Sequence, residues 1–300
     1  MRSTSSRASC GSATSTTSNP EKGQINFPEN PCQRRETEKI DLTLFRKVRI
    51  ALLLVVLAMV ALDAWLTSRR TTGWETTLRV SVYPIAADGR HTTRDYVRAL
   101  TREDFAPIEA FLRREAPRYG VTLAEPARIW LRPALEQAPP LPPADRNLPG
   151  TMGWSLKLRW WASRREAAQP RPRGQARIFV LYYDPETSPA VAHSLGLTKG
   201  VIGIVHAFAT RDMTPTNNVV IAHELLHTLG ATDKYDLASG LPRFPDGYAE
   251  PERAPRHPQR LAELMGGRIP LEPARAEIPA SLDQVLVGPL TAAEIGWKRP

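Results

Sequence analysis

The sequence predicts an α+β domain that follows one apolar helix, and three observations carry that reading. Short segments of strand character recur between residues 77 and 208, a single strongly framed helix begins near residue 216, and an unbroken apolar run stands at 50–62. With 300 residues the chain can bury a core without disulfide staples. Its 42% apolar and 24% charged composition excludes collagen, coiled coil and whole-chain disorder. Proline, 28 residues where about 5% is usual, requires long irregular connections.

The first element is a polar tail over residues 1–47, with eleven Ser or Thr among its first eighteen positions, too few apolar groups to order itself. Residues 48–67 then read as a transmembrane signal anchor through a lipid bilayer. The run Ile50 to Leu62 continues past Asp63 as Ala64, Trp65 and Leu66, at the lower limit for crossing the hydrocarbon core. A cleaved signal peptide is the nearer competitor, but Leu62 and Asp63 intrude where small residues belong. Arg34, Arg35, Lys39, Arg46, Lys47 and Arg49 precede the run, against Arg69, Arg70 and Arg79 after it. By the positive-inside rule the tail is cytoplasmic and the C-terminal domain extracytoplasmic.

Residues 75–300 form the expected domain. Thr77 to Ile85, Ala127 to Leu131, Ala176 to Tyr183 and Gly200 to Phe208 read as strands. Thr101 opens a helix with Asp104 in the capping-box position, ending at Gly120, and Ser155 to Arg165 reads as another. Six prolines make 133–150 a loop. For residues 75–170 two roles stand, an accessory subdomain or an inhibitory segment.

The net charge of +9 invites a nucleic-acid partner, yet residues 71–300 hold 29 Lys or Arg against 25 Asp or Glu with no block that would track a phosphate backbone. Nucleic acid is therefore excluded as the main partner. The two cysteines, Cys10 and Cys32, precede the apolar run, so no thiolate metal site and no cysteine nucleophile exists downstream.

The chemistry concentrates in Thr216 to Asp236, TNNVVIAHELLHTLGATDKYD. Thr216 or Asn217 supplies an N-cap and Gly230 a stop. At 100° per residue His223 and His227 share one face with Glu224 beside them, while Ala222, Leu225 and Leu229 fall on the opposite, apolar face. Two imidazoles one turn apart can hold one ion, and a neighbouring carboxylate can hold a water. Gly230 can turn the chain back so that Asp233 returns a carboxylate to the same point. The full pattern is H-E-x-x-H-x-x-G-x-x-D, expected by chance in roughly 3 of 100,000 such compositions once glycine and a final His or Asp are required.

His223, Glu224, His227, Gly230 and Asp233 resemble the elongated zinc-binding motif of the metzincin clan of metallopeptidases, in the aspartate variant of the snapalysin-like bacterial proteases. Glu263-Leu264-Met265-Gly266-Gly267 is similar to the clan's Met-turn, with Met265 as its methionine. Asp233 departs from the commoner histidine, and no tyrosine follows Met265. The resemblance implies a zincin-like domain of mixed sheet and active-site helix, and one catalytic Zn2+ on His223, His227 and Asp233. It further implies hydrolysis of peptide or protein substrates with Glu224 as general base. Tyr235 and Tyr248 are the candidates for stabilising the oxyanion.

Other ligand sets compete with this one. A glutamate ligand on a later helix would come from Glu250, Glu252 or Glu263, but Pro251, Pro255 and Pro258 break that stretch. His193, His206 and His257 stand in strand or loop contexts, His206 lining the cleft if GVIGIVHAF is the edge strand before the active helix. A different class of protein, a membrane-tethered binding or structural module with a closed zinc site, would take Asp236 as fourth ligand.

Overall fold

The computed structural model describes residues 44–59, 62, 72–143, 145, 147–188, 190, 194–197 and 201–297. The chain divides into two units, 1–59 and 60–300. In the first, residues 44–59 are helical, with large apolar side chains such as Leu53, Leu57 and Met59 exposed. Among the described residues no helix is long and apolar enough to cross a membrane. Of the expected 1–47 tail, residues 1–43 lie outside the described residues while 44–47 belong to this helix, and most of the second half of the 48–67 span lies outside them too.

The second unit is mixed α/β, built on a mixed five-stranded sheet. Strands β1 (Leu78–Ala86), β2 (Ala127–Leu131), β3 (Ala176–Tyr183), β4 (Leu195–Leu197) and β5 (Ile202–Phe208) run in the order β2-β1-β3-β5-β4. The first four pairings in that row are parallel except the last, where β4 runs antiparallel to β5. GVIGIVHAF therefore supplies an inner strand, and the edge expected of it belongs to β4.

Parallel strands need helices over both faces. Helices α1 (His91–Arg98), α2 (Ala106–Glu115) and α4 (Thr214–Thr228) cover one face, where Val97, Ile108, Leu112, Ala222 and Leu225 meet Val80, Val82, Ile178 and Val180. Helix α3 (Leu148–Ala167) covers the other through Leu158 and Ala162 against Tyr83, Phe179 and Ile204. Two short ladders, β6 (Ala262–Glu263) with β9 (Val285–Leu286) and β7 (Ile269–Glu272) with β8 (Arg275–Glu277), precede the last helix α5 (Pro289–Glu294).

Local chemistry explains most boundaries. The capping box forms as expected, Thr101 N–H donating to Asp104 Oδ2 at 2.7 Å, and Gly120 ends the segment at φ +79°. Helix α3 begins at Leu148, earlier than expected, because Asn147 Oδ1 accepts from Gly150 N–H at 2.7 Å and Pro149 occupies the first turn, where no N–H is needed. Helix α4 likewise starts at Thr214 rather than after Thr216 or Asn217, with Pro215 in its first turn. Asn217 is instead a clamp: its Nδ2 donates to Phe208 O at 2.9 Å and its Oδ1 accepts from Phe208 N–H at 3.2 Å, which fixes the helix to the end of β5.

Candidate metal centre

Helix α4 delivers the first three residues. Its apolar side, with Ala222, Leu225 and Leu229 at 2% exposure or less, is sealed into the core, and that orientation turns His223 and His227 outward, 13% and 16% exposed. Gly230 ends the helix at φ +111°, a conformation that L side chains resist, while Ala231 N–H bonds back to Leu226 O at 3.0 Å. The reversed chain brings Asp233 Oδ1 to 3.0 Å from His227 Nε2 and 3.2 Å from His223 Nε2, and the two Nε2 atoms are 3.0 Å apart.

The outer nitrogens decide what this trio wants. His223 Nδ1 faces Leu264 O at 2.9 Å and His227 Nδ1 faces Ala231 O at 2.8 Å. A neutral ring keeps its proton on the nitrogen that faces a carbonyl and turns a lone pair outward at the other. Two imidazole lone pairs and a carboxylate oxygen then converge with no proton among them. Such a set needs a cation, either a proton added to a ring or a metal ion. Ligand atoms about 2.0–2.1 Å from one tetrahedral ion stand about 3.3–3.4 Å apart, within a few tenths of the three edges found here. Zinc fits this donor set, which has the nitrogen and carboxylate ligands of a site with one position left open.

Glu224 lies beside the trio. His223, Glu224 and His227 each bring a ligand atom within 4.8 Å of the others. Its Oε2 is buried with no hydrogen-bond partner, and an orphaned carboxylate oxygen is costly unless something is to occupy the space before it. Burial pushes the Glu224 carboxyl above its ordinary value, against the pull of His223 and His227. Burial would lower His223, but the hydrogen bond to Asp233 and the charge of Glu224 more than offset it and hold the imidazole up. Asp233 shows the converse: burial raises it, and the bonds from both histidines hold it well below the usual carboxylate range.

The surroundings fix these positions. Leu264, Met265 and Gly266 form a single tight turn closed by Gly267 at φ +73°; Met265 is fully buried and its carbonyl accepts from Lys234 N–H at 2.9 Å. Lys234, only 4% exposed, donates from Nζ to Thr232 O at 2.8 Å and to Glu294 Oε2 at 2.7 Å, while Glu294 accepts from Thr232 N–H at 3.0 Å. The loop carrying Asp233 is thus tied on both sides to the end of α5. On the open flank, edge strand β4 passes so close that a Cβ on Gly196 would overlap the His227 Cβ and stand 2.8 Å from Glu224 O.

The remaining sequence candidates separate. The Tyr235 ring lies 6.3 Å from the His223 ring, and burial with the Asp233 charge raises its phenol to about 12, so it stays protonated. Tyr248 bonds to His257 Nε2 at 3.2 Å. His206 pairs with Leu181 in register, on the sheet face that α3 covers, and bonds to Tyr183; it does not line the α4 side. His193 lies outside the described residues. Glu263 is fully buried and its carboxylate is taken by Gly266 N–H, Gly288 N–H and Thr291 Oγ1 at 2.8, 3.0 and 2.7 Å. Glu250 pairs with Arg260 at 2.8 Å. Asp236 Oδ1 is occupied by Ala238 N–H, Ser239 N–H and Ser239 Oγ. The Lys234–Glu294 tie and Gly196 were missed from sequence, although a lone glycine in a strand is a known signal of close backbone approach. No protein-family model matches the chain, and no curated protein matches it either.

Proposed function

We propose that this chain is a membrane-anchored, zinc-dependent endopeptidase whose zincin-like catalytic domain lies outside the cytoplasm. One observation carries the reading: three acceptor atoms from His223, His227 and Asp233 converge beside a buried Glu224 oxygen that has no partner. A structural site would leave Glu224 idle, and Asp236, its required fourth ligand, is engaged in its own turn.

Zinc held there would polarise a peptide carbonyl and lower the pKa of water toward 7. Glu224 Oε2 takes the proton of the attacking water and returns it to the leaving amine. The Tyr235 hydroxyl, held protonated, can donate to the developing oxyanion. Strand β4 pairs with β5 on one side only among the described residues, so its free edge can take an extended peptide as an added strand, directly beside Gly196 and the histidines. The anchor rests on the apolar run at 50–66 and the basic residues before it.

The purified full chain should hold about one equivalent of zinc and cleave an unstructured protein until a chelator is added. Glu224→Gln should abolish cleavage and keep the metal. Cleavage retained by that variant would remove the mechanism; metal absent from the natural chain would remove the site.

A further inference from the structure

Helix α3 carries two apolar stripes, one buried and one exposed. Leu158 and Ala162 are fully buried beneath it, yet Leu148, Met152, Leu156 and Trp160 recur every fourth residue on the outside at 74, 59, 63 and 61% exposure. Four large side chains along about 18 Å of one helix exceed the scattered exposure normal to a monomer. An apolar stripe left outside on a helix that already buries its other apolar side marks a contact surface.

Charge says which phase. Residues 148–173 carry six Lys or Arg and one Asp or Glu, while the rest of 71–300 carries 23 against 24. The one acid, Glu166, is buried against Arg132, Ser81 and Tyr83 and offers nothing to the surface. The excess positive charge of residues 71–300 therefore falls in this segment of the sequence. Arg164 lays its guanidinium 5.1 Å over the outward Trp160 ring, and Lys157 is exposed beside Leu156. Apolar side chains flanked by long basic ones, with a tryptophan at the boundary, are the composition of a helix lying in the interface of an anionic bilayer.

We propose that α3 is a lipid-contacting helix that lays its face of the second unit on a membrane surface rich in anionic headgroups, with Leu148, Met152, Leu156 and Trp160 among the acyl chains and Lys157 and Arg164 at the phosphates. The inference is independent of the metal centre. Where the run at 50–66 anchors the chain, as proposed above, this contact is a second one, more than eighty residues further along the sequence.

The test uses the full chain with Cys10 and Cys32 replaced by serine and an environment-sensitive fluorophore on Leu156→Cys or, as a control on another exposed site, Glu277→Cys. Vesicles are phosphatidylcholine alone or with 30% phosphatidylglycerol. We expect the label at 156 to shift to the blue and to be quenched by brominated acyl chains only with phosphatidylglycerol, and the label at 277 to stay in water. Lys157→Glu with Arg164→Glu should weaken the phosphatidylglycerol-dependent shift at least tenfold, at about fivefold per basic residue removed. No shift at 156, or an equal shift with both vesicles, would overturn the proposal. So would a shift without vesicles: one that grows with protein concentration assigns the stripe to a second copy, and one independent of concentration assigns it to the chain's own run at 50–66.

Discussion

The Lys234 ammonium and the Glu294 carboxylate meet at 2.7 Å across sixty residues, and between them they hold the backbone and hydroxyl of Thr232, the residue before Asp233. Glu294 closes α5, so the last helix of the fold sets the position of the third proposed ligand. Lys234→Met keeps the stem packed and removes the tie. It should cost about 2–3 kcal/mol, since a partly buried carboxylate loses its partner, and should weaken zinc at least tenfold. Urea midpoints and competition with a chromogenic chelator read the two effects separately.

The same pair has a pH signature. Burial raises Glu294, but the bonds from Lys234 and Thr232 outweigh it and leave the folded carboxyl below its ordinary 4.5. A depressed carboxyl contributes stability that is complete above the unfolded value and is lost as pH falls through the folded one. The urea midpoints of the natural chain and Glu294→Gln should therefore differ most above pH 4.5 and converge as acid is added below it. A gap that widens toward acid would contradict the assignment.

Gly196→Ala places a methyl against His227 and the Glu224 carbonyl, which are backbone-anchored and cannot yield. We expect a loss of about 2–4 kcal/mol by overpacking, displacement of β4 and at least tenfold weaker zinc. Denaturation and metal content check it; a variant indistinguishable from the natural chain would show that β4 does not approach the histidines.

The two tyrosines should part company. Tyr235→Phe should retain zinc and fold while kcat falls roughly 10²-fold, the scale of one lost oxyanion donor. Tyr248→Phe, which gives up only its bond to His257, should leave kcat within about twofold. The comparison is made on one peptide with both variants at equal zinc content.

The sequence made the strands legible where apolar alternation was strong: β2 and β3 fall on the expected residues, and the His223–Asp233 set converges as the helical spacing and Gly230 require. Helix α1 is hard to read in sequence because HTTRDYVR has only Tyr96 and Val97 as apolar residues and buries polar Thr93 beside Val97. The start of helix α3 is hidden in sequence because its cap, Asn147, stands inside a proline run that reads as loop. For His206 the sequence leaves both a hydrogen-bonded ring and a place in the cleft open, because strand parity cannot be anchored until a neighbour, here Leu181, fixes which face is which; the structure gives the hydrogen-bonded ring. What sequence could not give at all were the partners of the ring nitrogens, since Leu264 and Ala231 act through backbone carbonyls that any residue would supply.

The dependence of the centre on α5 also orders events during synthesis. His223, Glu224, His227 and Asp233 leave the ribosome together, but Thr291 and Glu294, which brace the Leu264 turn through Glu263 and the Asp233 loop through Thr232, arrive some sixty residues later. The ligand set is covalently complete long before it is geometrically complete, so tight metal capture is deferred until the chain is nearly finished. A chain stopped at Gly288 should contain every proposed ligand and still bind zinc weakly.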